Sequence, residues 1–447
     1  MNTYIPHQKN LERVVIVGGG FGGIQLSKSL LKNKNFQVVL VDKQNYHTFQ
    51  PLLYQVATGG LEPYSIAYSI RHIFRKKENF YFRMAEVKNI DTKANSIHTN
   101  IGDIEYDHLV VATGATTNLF NFENIKRQLF TLKSVPEALN MRSFFIQNFE
   151  KALLTDSTAE KESLMNVVIV GGGPTGVELA GALAELKNFV LPKDYPDLDM
   201  RRMNVHLIEA APRVLATMSE EASEEAQKAL EKLGVQIWTD TRVNSYDGFK
   251  ISTNAEQDMN AHTLIWAAGV KGALIEGIDS IERGRIKVDE NNKIIASNNI
   301  YAIGDVAYME TKDSPKGHPM LAQVAIQQGK LLAKNLKSII KNKPLEAFKY
   351  NDMGSMATIG RNKAVVDLPK MKFKGTFAWL IWMFIHLIAM VGFRNKLVAL
   401  VNWSWSYLTY EKGVRLIIRP FNKKDEKSQL EDLKQKVRKK SYGCLEF

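Results

Sequence analysis

Residues 13–24 read RVVIVGGGFGGI, a short β-branched run followed by a glycine-rich turn and the start of an apolar-periodic segment. This order predicts a strand, a tight turn and a helix. Gly18, Gly20 and Gly23 keep the GxGxxG spacing. The first glycine permits the turn, the second lets a pyrophosphate approach the backbone, and the third lets helix and strand pack closely. Residues 13–24 therefore predict a dinucleotide-binding βαβ unit.

A carboxylate at the end of the next predicted strand supports this interpretation. Residues 36–42 read FQVVLVD, an apolar run that ends in Asp42. An acid at this distance from the glycines accepts a hydrogen bond from a ribose hydroxyl in dinucleotide-binding folds. We therefore expect Asp42 to hold the ribose of the first nucleotide.

The same pattern occurs a second time in the chain. Residues 166–178, NVVIVGGGPTGVE, carry Gly171, Gly173 and Gly176 at the same spacing, and the predicted strand that follows ends in Glu209. The gap before that strand is longer, and residues 191–199 are predicted to form an inserted loop. Two copies of the pattern predict an α/β chain with two Rossmann-like dinucleotide-binding domains.

Length, charge and cysteine content limit the class of protein. A chain of 447 residues exceeds one hydrophobic core, so more than one domain is expected. The net charge of +12 suits nucleic acid, anionic lipid or an acidic substrate, and much of it lies after residue 370. Cys444 is the single cysteine, which excludes a disulfide, a CxxC pair and a thiolate metal cluster; no metal site is predicted. The first residues lack the features of a signal peptide, so the body is expected in the cytoplasm.

Three later motifs follow the fingerprints in order: VVATGA at 110–115, WAAGV at 266–270 and IYAIGD at 300–305. With them, nearly the whole chain resembles the two-dinucleotide-binding flavoproteins, and within these the type II NADH dehydrogenases. That family passes electrons from NADH to a quinone without pumping protons. The resemblance implies non-covalent FAD on the first fingerprint and NADH on the second, because the family places them in that order.

The resemblance also implies a domain organisation and a set of contact residues. The FAD-binding domain would comprise 1–125 and 286–345, the NAD-binding domain 126–285, and a membrane-associating helical region 346–447. The implied FAD contacts are Gly18, Gly20, Phe21, Gly22, Gly23, Asp42, Lys43, Gln50, Pro51, Leu52, Val87, Ala112, Thr113, Gly114, Gly304, Asp305 and Ala322. The implied NADH contacts are Gly171, Gly173, Thr175, Gly176, Glu209, Ala268 and Gly269.

Several of these positions have a structural interpretation beside the functional one. Asp305 could instead cap the helix that follows it, although in the family it reaches the ribityl and phosphate region. The stretch 47–63 is broken by prolines and glycines, so it cannot form one regular helix. It could be a buried loop, but the family packs a similar segment against the isoalloxazine ring.

Three side chains are candidates for the reaction itself. Glu178 is expected in the first turn of the second fingerprint helix, where the macrodipole alone would favour a carboxylate. In the family this glutamate lies where nicotinamide meets flavin, which implies a role in positioning or proton delivery. Gln323 and Gln327 are one turn apart on a helix predicted to open at Pro319. They could serve helix packing, but they resemble the AQxAxQ glutamines that border the quinone headgroup.

The region after residue 374 predicts membrane attachment. Residues 375–393 carry no acidic, lysine or arginine side chain, and as a helix they would measure ~28 Å, near the lower limit for crossing a bilayer. A crossing would place the basic tail on the side opposite the body, against the positive-inside tendency, so two segments lying in the interface are favoured. The break between them is predicted at 394–396, and Trp403, Trp405 and Tyr407 suit the headgroup level. A buried core helix or a dimer contact is the alternative.

Together these features predict a non-proton-pumping NADH:quinone oxidoreductase, a monotopic protein on the cytoplasmic face of the cell membrane. The expected partners are NADH, menaquinone or ubiquinone, an anionic lipid surface and a second copy of the chain, with no nucleic acid. A sulfide:quinone oxidoreductase-like enzyme is one alternative, but its chemistry needs redox cysteines. A DNA-binding flavoprotein similar to apoptosis-inducing factor is the other, but the cations here flank apolar runs, which lipid explains better.

Overall fold

The computed structural model of the chain describes residues 3–6, 8, 10–120, 122–255, 258–409, 415–417, 419–421 and 423. Cys444 and the charged tail from residue 424 onward lie outside the described residues.

The first fingerprint lies in a five-stranded parallel sheet. Its strands are, in spatial order, Ile300–Ala302, His108–Val111, Glu12–Val17, Phe36–Asp42 and Phe80–Met84. Residues 13–17 are almost fully buried because helices cover one face of the sheet and the strands that carry Ile90, Ile97 and Ile104 cover the other, so 14–17 form a continuous apolar run. The strand Ile300–Ala302 comes from much later in the chain and completes this sheet beside His108–Val111.

The second fingerprint lies in a four-stranded parallel sheet. Its strands are, in spatial order, Val235–Trp238, Val205–Ile208, Val167–Val170 and Thr263–Trp266. In both sheets a strand leads through the glycine turn into a helix: Phe21–Leu30 in the first and Pro174–Glu185 in the second. The two predicted Rossmann-like units are therefore present.

Smaller elements connect and flank these two sheets. The remaining strands are Tyr46–Thr48, Ala67–Ser69, Val87–Asp91, Ser96–Thr99, Gly102–Glu105, Ala115–Thr117, Val243–Tyr246, Lys250–Thr253, Met259–Asn260, Val270–Gly272, Ile281–Glu282, Arg285–Lys287, Ala307–Tyr308, Ser355–Thr358, Ala364–Asp367 and Lys372–Lys374. The remaining helices are Gln50–Leu52, Leu53–Ala57, Pro63–Ile66, Ile70–Ile73, Glu123–Ile125, Val135–Ala152, Thr158–Met165, Leu186–Val190, Leu191–Asp194, Met200–Arg202, Glu220–Lys232, Gly304–Val306, Ala322–Ile340, Gly375–Ala389 and Phe393–Thr409.

Three local predictions differ from the structure. The inserted loop 191–199 opens with the short helix Leu191–Asp194. The helix predicted to open at Pro319 begins at Ala322, because Leu321 is still extended. Glu178 is the fifth residue of its helix, one turn inside the N-terminus, so the macrodipole interpretation does not apply to it.

The last two helices also differ from their predicted boundaries. The first C-terminal helix, Gly375–Ala389, ends before a turn at 390–392, and the second, Phe393–Thr409, contains the residues 394–396 that were predicted to break it. The turn occurs at Gly392, which has φ +87°, and a Cβ there would lie 2.4 Å from the Tyr68 ring. The close approach of Gly392 to Tyr68, and not the charges of residues 394–396, therefore sets the break between the two helices. Within the described residues, no helix has both the length and the apolar character that a bilayer crossing requires.

Candidate active site

The glycines of the first fingerprint leave space for a phosphate where the motif requires it. A Cβ on Gly18 would lie 2.2 Å from the Ala112 oxygen, and one on Gly23 would lie 1.9 Å from the Gly18 oxygen. A Cβ on Gly20 would meet nothing within 4 Å. Two glycines therefore serve close packing, and Gly20 opens the helix N-terminus to a ligand. These residues fit the pyrophosphate of FAD.

The second fingerprint repeats this geometry. A Cβ on Gly176 would lie 1.8 Å from the Gly171 oxygen, whereas one on Gly173 would meet nothing within 4 Å. Ala268 lines the close approach to Gly171, at 2.7 Å from its hypothetical Cβ. Thr175 is exposed in the first turn of the helix. This cradle fits a second dinucleotide.

The two strand-end acids hold the glycine turns. Oδ2 of Asp42 accepts a hydrogen bond from the Gly19 N–H at 2.5 Å, and Oε2 of Glu209 accepts one from the Gly172 N–H at 2.5 Å. Each carboxylate oxygen keeps a second lone pair for a ribose hydroxyl. Burial raises the pKa of Asp42, and its backbone hydrogen bonds act in the opposite direction.

Asp305 lies in the turn Gly304–Val306 and makes no helix cap, so the capping interpretation is not realised. Burial raises its pKa, which the charges of Lys133 and Arg285 lower again. The turn is tied to the helix Ala322–Ile340 by Gln328, whose Oε1 accepts from the Gly304 N–H at 2.7 Å. Gln328, which is buried beside the predicted pair Gln323 and Gln327, was not among the residues predicted from the sequence.

The other predicted FAD contacts surround the first fingerprint or follow its neighbouring strands. Phe21 meets the buried His47 ring edge-on at 5.0 Å. Lys43 pairs with Glu86 at 2.8 Å, next to Val87. Two short segments belong to the predicted set: Gln50, Pro51 and Leu52 form one helical turn, and Ala112, Thr113 and Gly114 follow the strand His108–Val111. Gly22 packs against the helix that begins at Ala322. Gly269, in the predicted NADH set, has φ +69° and lies beside Ala268.

Gln323 and Gln327 use their side-chain amides on the main chain of residues 351–354. Gln327 donates to the Asn351 oxygen at 2.8 Å and accepts from its N–H at 3.0 Å. Gln323 donates to the Gly354 oxygen at 3.1 Å and accepts from the Met353 N–H at 3.0 Å. Both amides therefore fix the segment that enters the strand Ser355–Thr358.

Glu178 lies on a cavity of about 110 Å³ between the second fingerprint helix and both C-terminal helices. Its side chain is buried, and its Oε1 accepts from the Thr358 N–H at 3.4 Å and from the Trp382 indole N–H at 3.3 Å. Burial raises the pKa of Glu178 to about 8, against the effect of these two donors. The carboxyl group is therefore mostly protonated near neutral pH and can donate a proton into the cavity.

The cavity has polar walls that were not predicted from the sequence, which had indicated only the headgroup level for Trp403. Tyr54, Gln55, Arg361, Trp382 and Trp403 all line it. Gln55 donates to the Tyr54 hydroxyl at 2.9 Å and accepts from the Trp403 indole N–H at 2.7 Å. The one sequence feature that could have indicated these walls was Gln55, a glutamine inside an apolar stretch, because such an amide needs hydrogen-bond partners when it is buried.

The fold and the two cradles define a two-dinucleotide-binding oxidoreductase. Residues 12–329 match the family described as pyridine nucleotide-disulphide oxidoreductase, and residues 353–410 match the NDH2 C-terminal domain. A type II NADH:quinone oxidoreductase of Mycobacterium tuberculosis is 35% identical over 90% of this chain and 88% of its own length. One from Staphylococcus aureus is 30% identical over 79% and 89%.

The solved NDH2 of Plasmodium falciparum in complex with NADH has the same fold, with a TM-score of 0.84 at 23% identity, covering 91% of this chain and 100% of that one. The chain belongs to the type II NADH:quinone oxidoreductases. This confirms the family, the enzyme class and the two cofactors, FAD and NADH, expected from the sequence. The comparisons give less support to a sulfide:quinone oxidoreductase-like enzyme or to a flavoprotein similar to apoptosis-inducing factor.

Proposed function

We propose that the NADH:quinone reaction uses two sites. NADH binds at the second fingerprint, and the quinone headgroup binds in the Glu178 cavity. The observation that carries this proposal is the buried carboxyl group of Glu178 in a cavity walled by the two C-terminal helices. A lipid-soluble acceptor can reach such a cavity from the membrane side. Menaquinone and ubiquinone both fit this description.

The roles of the side chains follow from their positions. When bound, FAD would supply the hydride and electron transfer that links NADH to the acceptor. Gly173 and Glu209 hold the diphosphate and ribose of NADH, and Gly20 and Asp42 do the same for FAD. Glu178, protonated near neutral pH, supplies a proton to the quinone oxygen.

Members of this family are peripheral membrane-associated proteins, and so is this chain. Attachment is proposed through the outward faces of the C-terminal helices, where Phe377, Phe384 and Ile388 are exposed on the first helix and Leu408 on the second. Such a patch is unfavourable in water and favourable in a lipid interface. The exposed cation Arg394 is the second residue of the second helix, next to the turn between the two helices, and suits anionic headgroups.

Two finer points belong to the same proposal. The cytoplasmic face of the cell membrane is the proposed location, because NADH is a cytoplasmic donor and the basic C-terminal region suits the inner leaflet. A homodimer is the proposed assembly, and the mass of the detergent-solubilised enzyme by analytical ultracentrifugation tests it.

An anaerobic titration tests the reaction. NADH should bleach the flavin absorbance of the FAD-loaded enzyme, and a short-chain quinone should then restore it. The rate of restoration should fall at alkaline pH as Glu178 loses its proton, and Glu178→Gln should remove this alkaline limb. Bleaching without restoration would contradict the quinone assignment, and an unchanged limb in Glu178→Gln would contradict the role of Glu178.

A further inference from the structure

The acid of the cavity is held by a side chain from the membrane-associating region. Glu178 belongs to the second fingerprint helix, and Trp382 belongs to the first C-terminal helix. The indole N–H of Trp382 donates to Oε1 of Glu178 at 3.3 Å, and both side chains are buried. A donor of this kind fixes where a buried carboxyl group points.

Trp382 is itself held in one orientation. Its ring stacks on the His386 ring, with centroids 4.2 Å apart and an interplanar angle of 28°. Nδ1 of His386 lies 2.8 Å from the Trp382 oxygen, and the Trp403 ring packs at 5.8 Å. The indole is 3% exposed, so little room is left for it to rotate.

The same helix presents an apolar face outward. Phe377, Phe384 and Ile388 are more than half exposed, whereas Ala378 and Trp382, one turn apart, are buried. The inner face of this helix therefore contacts Glu178, whereas its outer face is exposed.

We propose that Trp382 is a positioning residue of the quinone half-reaction, whose indole N–H orients the Glu178 carboxyl group in the cavity. The membrane-associating region thus forms part of the active site as well as the attachment surface. This inference rests on the proposed role of Glu178.

The other ionisable groups around Glu178 are few among the described residues. Tyr54 faces the cavity from the helix Leu53–Ala57, and burial raises its pKa well above the ordinary value. His386 lies behind Trp382, and burial lowers its pKa to about 4. Glu185 and Arg361 also line the cavity, and Oε1 of Glu185 accepts from the backbone N–H of Arg361 at 2.5 Å. Tyr54 and His386 are therefore neutral between pH 6 and 9, where the alkaline limb of Glu178 is expected.

The test removes the indole N–H and keeps the ring. Trp382 is replaced by 3-benzothienylalanine, which has a sulfur in place of the N–H, and in parallel by phenylalanine. The FAD-loaded enzyme is reduced and then reoxidised with a water-soluble short-chain quinone over a range of pH. Because the N–H stabilises the carboxylate more than the carboxylic acid, its loss should move the alkaline limb upward by about one pH unit.

A second measurement does not depend on turnover. The infrared carbonyl band of the protonated Glu178 carboxyl group, identified by its absence in Glu178→Gln, should move to higher wavenumber when the indole donor is lost. Trp405→Phe is the matched control, because Trp405 lies on the second C-terminal helix with its side chain exposed and should leave the limb and the band in place.

The outcomes separate the two proposals. If Glu178→Gln removes the limb but the benzothienyl variant leaves both limb and band unchanged, Trp382 only packs and this inference is wrong. If the limb persists in Glu178→Gln, the proposed role of Glu178 fails and the inference fails with it. A phenylalanine variant that does not fold decides nothing by itself, and the benzothienyl variant then carries the test.

Discussion

Trp403, on the second C-terminal helix, donates its indole N–H to Oε1 of Gln55 at 2.7 Å, across 348 residues of sequence. Among the described residues, hydrogen bonds therefore join the C-terminal helices to the catalytic body at Gln55 and Glu178. Asn395 adds a third connection by donating to the carbonyl oxygens of Tyr64 and Ala67. Deleting everything from Gly375 onward would remove the walls that these helices give to the Glu178 cavity together with the attachment surface. Substitutions of outward-facing side chains separate the two effects.

The double variant Phe384→Glu/Leu408→Glu should move the protein from sedimented vesicles to the supernatant, because both side chains are exposed and neither lines the cavity. FAD content should stay at the wild-type level. Leu154→Glu is the control, since Leu154 is exposed on the body and should not affect sedimentation. Persistent binding of the double variant to lipid would contradict the proposed surface.

Gly20→Ala should fold normally but lose FAD affinity by ~10-fold or more, because its Cβ points into the space proposed for the pyrophosphate. Gly23→Ala should instead destabilise the protein without cofactor, since its Cβ would lie 1.9 Å from a backbone oxygen. Thermal unfolding of the apo-protein and flavin fluorescence measure the two effects. Equal loss of stability in both variants would argue against a ligand space at Gly20.

NADH should be a better donor than NADPH, because the Glu209 carboxylate accepts from a 2′-hydroxyl and repels a 2′-phosphate. Arg213 does not offset this, as its guanidinium donates to the carbonyl oxygens of Ala216, Met218 and Ser219. Glu209→Ser should raise the NADPH to NADH ratio of kcat/KM by ~10-fold or more, and Arg213→Ala should leave it nearly unchanged. Equal efficiency with both donors in the wild type would refute this specificity.

Glu178→Gln should stabilise the protein increasingly as the pH rises. The folded wild type keeps the Glu178 proton up to a pKa of about 8, whereas the unfolded chain releases it near 4.5. Between these values the folded state binds more protons, so rising pH lowers the free energy of unfolding of the wild type. The difference in melting temperature between variant and wild type should grow over this range and level off above it. A constant difference would show that the pKa is not raised.

Gln327→Met should slow reoxidation by quinone ~10-fold, equivalent to ~1.4 kcal/mol, while flavin reduction by NADH stays within a few-fold. The structure supplies a route for this effect. Gln327 fixes Asn351, and the segment it holds leads to Thr358, whose N–H donates to Glu178. Stopped-flow traces of the two half-reactions measure it. Equal slowing of both steps would place Gln327 in the shared flavin environment.

Local motifs were predictable because their geometry is encoded over short spans of sequence. The spacing of Gly18, Gly20 and Gly23 prescribes a turn that only a few backbone conformations satisfy, and Asp42 follows at the end of the next strand. The apolar composition after residue 374 likewise predicted two helices. The break between them was wrong by a few residues, because Gly392 turns where the chain passes close to Tyr68.

The order of residues along the chain was sufficient to predict the two nucleotide cradles, the family and an apolar C-terminal region. Which side chains meet in the cavity depends instead on tertiary packing. Glu178 receives hydrogen bonds from Thr358 and Trp382, which lie 180 and 204 residues away in the sequence. Such contacts depend on how separately folded elements pack against one another, and no local pattern of residues records that packing.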